Sequence, residues 1–242
     1  VGARTHFIHS GIRYFSFFSD AANYGSNMAF SLVVYAICFL YEKNKFDRIC
    51  WLIIALAAGY GLMISGTRTA LIVAISGFVL YTLLSKNIKL FLVSCSFLII
   101  SVGILKFTTW GDGNQFIRRM RTAFDPEDAS LQVRLINQKA IKAYMKEAPW
   151  GIGIGIGMGA DQLPTNNKYW MVSITPSDSS LVYVWMRTGA IGVSLYLLVL
   201  GLAIIAECYI VLFRIKDKLL RGILTAFTCG SACMIVAAYG NN

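Results

Sequence analysis

The sequence predicts an all-α fold: a polytopic transmembrane helix bundle of about six spans, with a long outer loop that contains an amphipathic helix. Three observations carry that prediction. Of the 242 residues, 57% are hydrophobic and only 14% charged, whereas soluble domains hold about a quarter charged residues. The mean hydropathy is +0.62. Six runs without Asp, Glu, Lys or Arg (21–41, 49–67, 69–85, 90–105, 188–206 and 222–242) hold 113 residues. A helix rising about 1.5 Å per residue needs about 20 apolar residues to cross the hydrocarbon core. Lys or Arg snorkelling at the ends lets the shorter runs reach.

The same arithmetic excludes other classes. Disordered tails and disulfide scaffolds fail on hydrophobicity. The formal charge of +10 lies between the apolar runs rather than on one solvated face, which argues against a nucleic-acid partner. Cys38, Cys50, Cys95, Cys208, Cys229 and Cys233 all lie in or beside apolar runs. Cys229 and Cys233 are one helical turn apart with no His, Asp or Glu in their run, so they read as buried thiols, and no metal site is expected.

Taken in order, residues 1–107 comprise an outer N-terminal segment and four spans, 108–180 an outer loop, and 181–242 two further spans. Lys43, Lys45, Arg48, Lys86, Lys89, Arg214, Lys216, Lys218 and Arg221 occupy one set of short connections, against Arg4, Arg13 and Arg68 on the other. The positive-inside bias places the first set in the cytoplasm, and both termini and the 108–180 loop outside. His6 and His9 read as juxtamembrane tail residues. An outward start without an initiator Met reads as a fragment of a longer chain.

At about 73 residues the outer loop is too long for a connector. Residues 130–147 read as its amphipathic helix. Asp125, Glu127 and Asp128 precede it, Ser130 is in place to cap it, and Lys139, Lys142 and Lys146 lie toward its end, a polarity that suits the helix dipole. Pro149 stops it. Its apolar residues Leu131, Leu135, Ile136, Ala140, Tyr144 and Met145 either rest on the bilayer or pack on the bundle, and packing is favoured. The Gly-rich stretch from Gly151 to Gly159 is too short to span. Its glycines, Gly153 and Gly155 among them, either let backbone N–H groups approach an anion or make a tight re-entrant turn. No βαβ unit surrounds it, so it is not a dinucleotide fingerprint.

Several charges call for a reason. Arg68 stands alone between two apolar runs, where it either snorkels to the interface or offers its five donors to phosphate oxygens. Arg134, in the amphipathic helix, has the same two readings, with a solvated face as the default. Arg118, Arg119 and Arg121 form a basic cluster suited to lipid headgroups. Arg187, early in the fifth span, is placed to pair with Asp178, Glu207 or a substrate.

A pattern then emerges. One span ends in Ser65-Gly66-Thr67-Arg68-Thr69-Ala70. The outer loop follows with Val133-Arg134-Leu135 and Ala148-Pro149-Trp150-Gly151-Ile152-Gly153. Asp178-Ser179-Ser180-Leu181 and Arg187-Thr188-Gly189-Ala190-Ile191-Gly192 then open the next span. With Phe17-Phe18-Ser19-Asp20-Ala21-Ala22-Asn23-Tyr24 near the start, this order resembles the bacterial O-antigen ligase and O-antigen polymerase family over roughly residues 13–205.

The resemblance implies a metal-independent, cofactor-free glycosyltransferase in the bacterial inner membrane, with its active site facing the periplasm. The donor it implies is a glycan on undecaprenyl diphosphate, and the acceptor a saccharide or lipid-linked glycan. Arg68 and Arg134 match the family arginines that engage the diphosphate; Arg187, Gly153 and Gly155 stay as substrate-binding candidates on the reading of the residues given above. In ligases a His heads the motif before the fifth span, and this chain has Asp178. An aspartate is a much weaker base near pH 7 unless burial tunes it. Asp178 is therefore a tuned base, an orienting partner for an arginine, or a ligand for the acceptor hydroxyl, and polymerase is slightly favoured over ligase. The alternative is a transporter or flippase of lipid-linked sugar. That reading expects charges buried in mid-span, and the six apolar runs hold none.

Overall fold

The first membrane helix starts at Asp20, whose carboxylate accepts from the N–H groups of Ala22 and Asn23 at 2.7 and 2.8 Å. This caps orphan donors that lipid cannot satisfy. The computed structural model describes residues 4–8, 11–85, 92, 96, 103, 107–109, 113, 117, 129–154 and 163–240. Ahead of Asp20, β1 (Arg4–Ile8) and β2 (Gly11–Ser16) pair antiparallel, with Ile8 opposite Gly11. The stretch that holds His6, expected to be a plain tail, is thus a small hairpin. Its β-branched and aromatic residues suit a pleated strand. His9 lies outside the described residues.

Five apolar helices match five of the expected spans. They are α1 (Ala21–Tyr41), α2 (Lys45–Ser65), α3 (Arg68–Leu84), α6 (Ser180–Tyr209) and α7 (Lys218–Gly240). A π-helical turn, Ile210–Arg214, extends α6. Four of the five are long and apolar enough to cross a membrane, and α3, at 17 residues, is shorter. The span expected at 90–105 lies outside the described residues apart from isolated positions, as do Arg118, Arg119, Arg121, Asp125, Glu127 and Asp128.

The chain divides into two units, Val1–Asp125 with Ile204–Ala237, and Pro126–Ala203 with Ala238–Asn242. In the first unit α1 is central. Its Ala29, Val33, Val34 and Ile37 pack with Val73 and Ala74 of α3 and with Ala226, Cys229 and Cys233 of α7. Small residues allow the close approach that drives helix association in lipid. A Cβ on Gly77 would fall on the Cys233 sulfur, and one on Gly230 would meet Phe30 and Val34. Cys229 and Cys233 are fully buried here, as expected. Between α1 and α2 the Glu42 carboxylate accepts from the N–H groups of Asn44 and Lys43, which holds its carboxyl below the usual range. Asn44 then caps α2 through Phe46 N–H.

In the second unit, α4 (Ala129–Met145) is the expected loop helix. It starts one residue early, so Ser130 lies in the first turn rather than capping it. It also ends before Pro149, in turn bonds from Glu147 and Ala148 N–H to Tyr144 and Met145 carbonyls. Its packed side chains are Ile141 and Met145, which join Ala148, Val172 of α5 (Trp170–Ile174) and Met186 of α6. Of the residues expected on its packed face, Met145 is buried and Tyr144 packs beside it, whereas Leu135 and Ile136 are exposed. Beyond α4, Lys168 pairs with Glu147, and this hydrogen bond and charge hold the Glu147 carboxyl below its ordinary value and raise Lys168.

Candidate active site

The turn from α2 to α3 positions Arg68. Gly66 ends α2 in the left-handed region, at φ 57°, which glycine adopts without strain. The Ser65 hydroxyl donates to Leu62 O at 2.7 Å and accepts from Thr67 N–H at 3.2 Å. The Thr67 hydroxyl donates to Ala21 O at 2.9 Å, which ties the turn to the first residue of α1. A Cβ on Gly25 would sit 2.7 Å from the Ser65 hydroxyl and 3.0 Å from the Ala70 side chain, so only glycine lets α1 come this close. Arg68, half-buried, is the first residue of α3. It stands where the positive end of a helix dipole adds to its own charge.

In the second unit α4 presents Arg134 and Asn137, one turn apart and therefore on one face. The Arg134 Nη1 donates to Gly240 O at 2.9 Å, and the Ser179 hydroxyl donates to Ala238 O at 3.3 Å. Both groups thus cap the last carbonyls of α7, an end that favours cations. Asn137 Nδ2 donates to Asp178 Oδ2 at 2.9 Å. Asp178 sits at φ 53°, a conformation few non-glycine residues adopt, between buried Ser177 and Ser179. Among the described residues Asp178 has no bonded side chain other than Asn137, and one carboxylate oxygen has no hydrogen bond. Arg134 uses one of its five donors on Gly240, leaving four N–H groups for an anion.

A third arrangement centres on Gly189, where α6 kinks with φ 69°. The break frees backbone groups, and the Gly-rich stretch takes them up. Ala190 N–H bonds Pro149 O at 3.0 Å, Ile152 N–H bonds Met186 O at 2.8 Å, and Gly153 N–H bonds Arg187 O at 3.2 Å. In a membrane such a break must be repaired by partners of this kind. A Cβ on Gly189 would collide with the backbone of Pro149 to Gly151, and one on Gly151 with that of Arg187 to Gly189. Arg187 lies over the Tyr183 ring, 3.9 Å from its centre, and donates from Nη1 to Ile154 O at 2.6 Å. Its Nε is buried and unpartnered among the described residues.

Of the residues picked out in the sequence, Arg134 shares one face of α4 with Asn137, which bonds Asp178, and Arg187 and Gly153 meet at the kink. Arg68 belongs to the first unit, and Gly155 lies outside the described residues. Arg187 is turned to the Ile154 carbonyl rather than bonded to Asp178. Asn137 was missed. The one signal for it is its place three residues after Arg134, and that carries weight only once Ile141 and Met145 are known to set the buried face. Among the described residues no group of three or more His, Cys, Asp or Glu is placed to hold a metal ion.

A family model described as O-antigen ligase matches residues 52–197, more than half of the chain. That span runs from α2 into α6 and includes all six of the residues picked out as site residues. No curated protein and no solved structure matches.

Proposed function

Because the chain belongs to the O-antigen ligase family, we propose that it transfers a glycan from undecaprenyl diphosphate to a saccharide or lipid-linked acceptor at the periplasmic face of the inner membrane. Membership makes it a multi-pass bacterial membrane protein with glycosyltransferase-type activity. The reading of the chemistry goes further. The acceptor hydroxyl oxygen attacks the anomeric carbon, the bond from that carbon to the phosphate oxygen breaks, and the diphosphate departs with the electron pair. Arg68 and Arg134 each engage the diphosphate, whose developing charge is where such a transfer most needs help. Asp178 handles the acceptor hydroxyl and its proton. No metal is needed in this scheme, because guanidinium groups supply the positive charge. With Asp178 where ligases have a His, a lipid-linked glycan acceptor, as for a polymerase, is favoured over lipid A–core.

The observation that supports this reading best is the Arg134–Asn137–Asp178 cluster, a phosphate-type donor set beside a carboxylate with an open oxygen. The test is transfer of labelled glycan from undecaprenyl diphosphate by the purified protein in lipid nanodiscs. Charge-assisted hydrogen bonds are worth about 1.5–3 kcal/mol each, so Arg68→Ala and Arg134→Ala should each cut turnover about 10- to 100-fold or more at unchanged membrane abundance. Unchanged glycan chain length in both variants overturns their roles. Asp178→Asn keeps the shape but cannot take a proton, so unchanged turnover excludes general-base catalysis by that carboxylate. Movement of lipid-linked glycan across the membrane with no transfer points instead to a flippase.

A further inference from the structure

We propose that Asn137 is the positioning residue for the acceptor side of the site, fixing Asp178 so that one carboxylate oxygen faces the incoming hydroxyl. The inference rests on the reading of Asp178 given above. Its observation is the 2.9 Å bond from Asn137 Nδ2 to Asp178 Oδ2, made between residues 41 positions apart in the chain. An isolated aspartate on a loop rotates freely about two side-chain torsions, and a hydroxyl ligand must instead hold one direction. Here the backbone at Asp178 is already set in the left-handed region between two buried serines. The side chain is then set by Asn137.

Asn137 can do this because its own helix is held. One turn onward on the same face is Ile141, and one turn beyond that Met145, both buried against Val172 and Met186. One turn back is Arg134, fixed by its bond to Gly240. A single helix face therefore carries an anchored apolar end, the group that orders the carboxylate, and the guanidinium that meets phosphate. At about 1.5 Å of rise per residue, Arg134 and Asn137 are offset by about 4.5 Å along the axis. In this arrangement α4 carries both the guanidinium and the group that orients Asp178.

The experiment is steady-state transfer in nanodiscs with donor and acceptor concentrations varied separately, for Asn137→Ala, Asn137→Gln, Asp178→Ala and the double variant. In Asn137→Ala, kcat/KM for the acceptor should fall about 10- to 100-fold while KM for the donor stays within a factor of two, at unchanged melting temperature. Asn137→Gln, which keeps the carboxamide donor, should recover part of the loss. In the Asp178→Ala background the Asn137→Ala change should cost nothing further, since the residue acts through that carboxylate. If Asp178→Ala disables transfer but Asn137→Ala leaves acceptor kinetics untouched, or costs the same with and without Asp178, the positioning role is overturned. If Asp178→Ala itself transfers normally, the prior assignment of Asp178 fails instead.

Discussion

At residue 189 the chain uses glycine for a reason that chemistry alone explains. Its φ of 69° and ψ of −169° fall in a region that only glycine adopts readily, at a cost to other residues of about 1–3 kcal/mol, and any Cβ there would enter the backbone of Pro149 to Gly151. Gly201 lies in the same helix with nothing within 4 Å of where its Cβ would be. Gly189→Ala should therefore lower the thermal unfolding midpoint in detergent sharply, by clearly more than the conformational term alone. Gly201→Ala should leave it unchanged or raise it, because alanine is worth up to about 1 kcal/mol over glycine inside a helix. Equal midpoints for the two variants would mean that the Gly-rich stretch does not dock on the kink. Arg134 illustrates a different point. Its bond to the end of α7 holds it in place and leaves most of its donors for an anion, so one residue serves both a structural and a functional reading.

At the scale of elements, the start of α1 and the turn before α3 form one hydrogen-bonded junction beside Arg68. Asp20 caps α1, and Thr67 reaches across to Ala21. Loss of a side-chain cap costs about 0.5–2 kcal/mol. Asp20→Ala should lower the unfolding midpoint by an amount of that order, whereas Asp20→Asn, which still offers an oxygen to the same N–H groups, should recover most of it. A midpoint unmoved by Asp20→Ala would show that the junction is held by Thr67 and packing alone. For α4, amphipathic periodicity located the helix to within two residues at either end. It identified only the C-terminal part of the buried stripe, Tyr144 and Met145, because Leu135 and Ile136 are as apolar as Ile141. Only the position of Val172 and Met186 selects between those faces.

For the molecule as a whole, the distribution of Lys and Arg makes a topological prediction. With the six native cysteines replaced, a cysteine at exposed Asn166 should react with a membrane-impermeant maleimide in intact cells. One at exposed Lys216 should react only after the inner membrane is permeabilised. The reverse pattern would invert the orientation and place the cluster around Asp178 on the cytoplasmic side. That outcome is incompatible with transfer at the periplasmic face.

Composition and the spacing of charges were enough to establish a membrane protein, the positions of α1, α2, α3, α6 and α7, and the presence of a helix in the long connection before α6. These properties depend on neighbours within a few turns, and a bilayer imposes the same length and polarity on any helix that crosses it. The order of short motifs was enough to point to the family. The bonds that make a site were not legible in that way. Asn137 meets Asp178, Arg134 meets Gly240 across 106 positions, and Gly153 meets Arg187 at a kink that an apolar run conceals. Each is a contact between distant segments, fixed by how helices and a broken backbone pack against one another, and no local pattern of residue types encodes that packing.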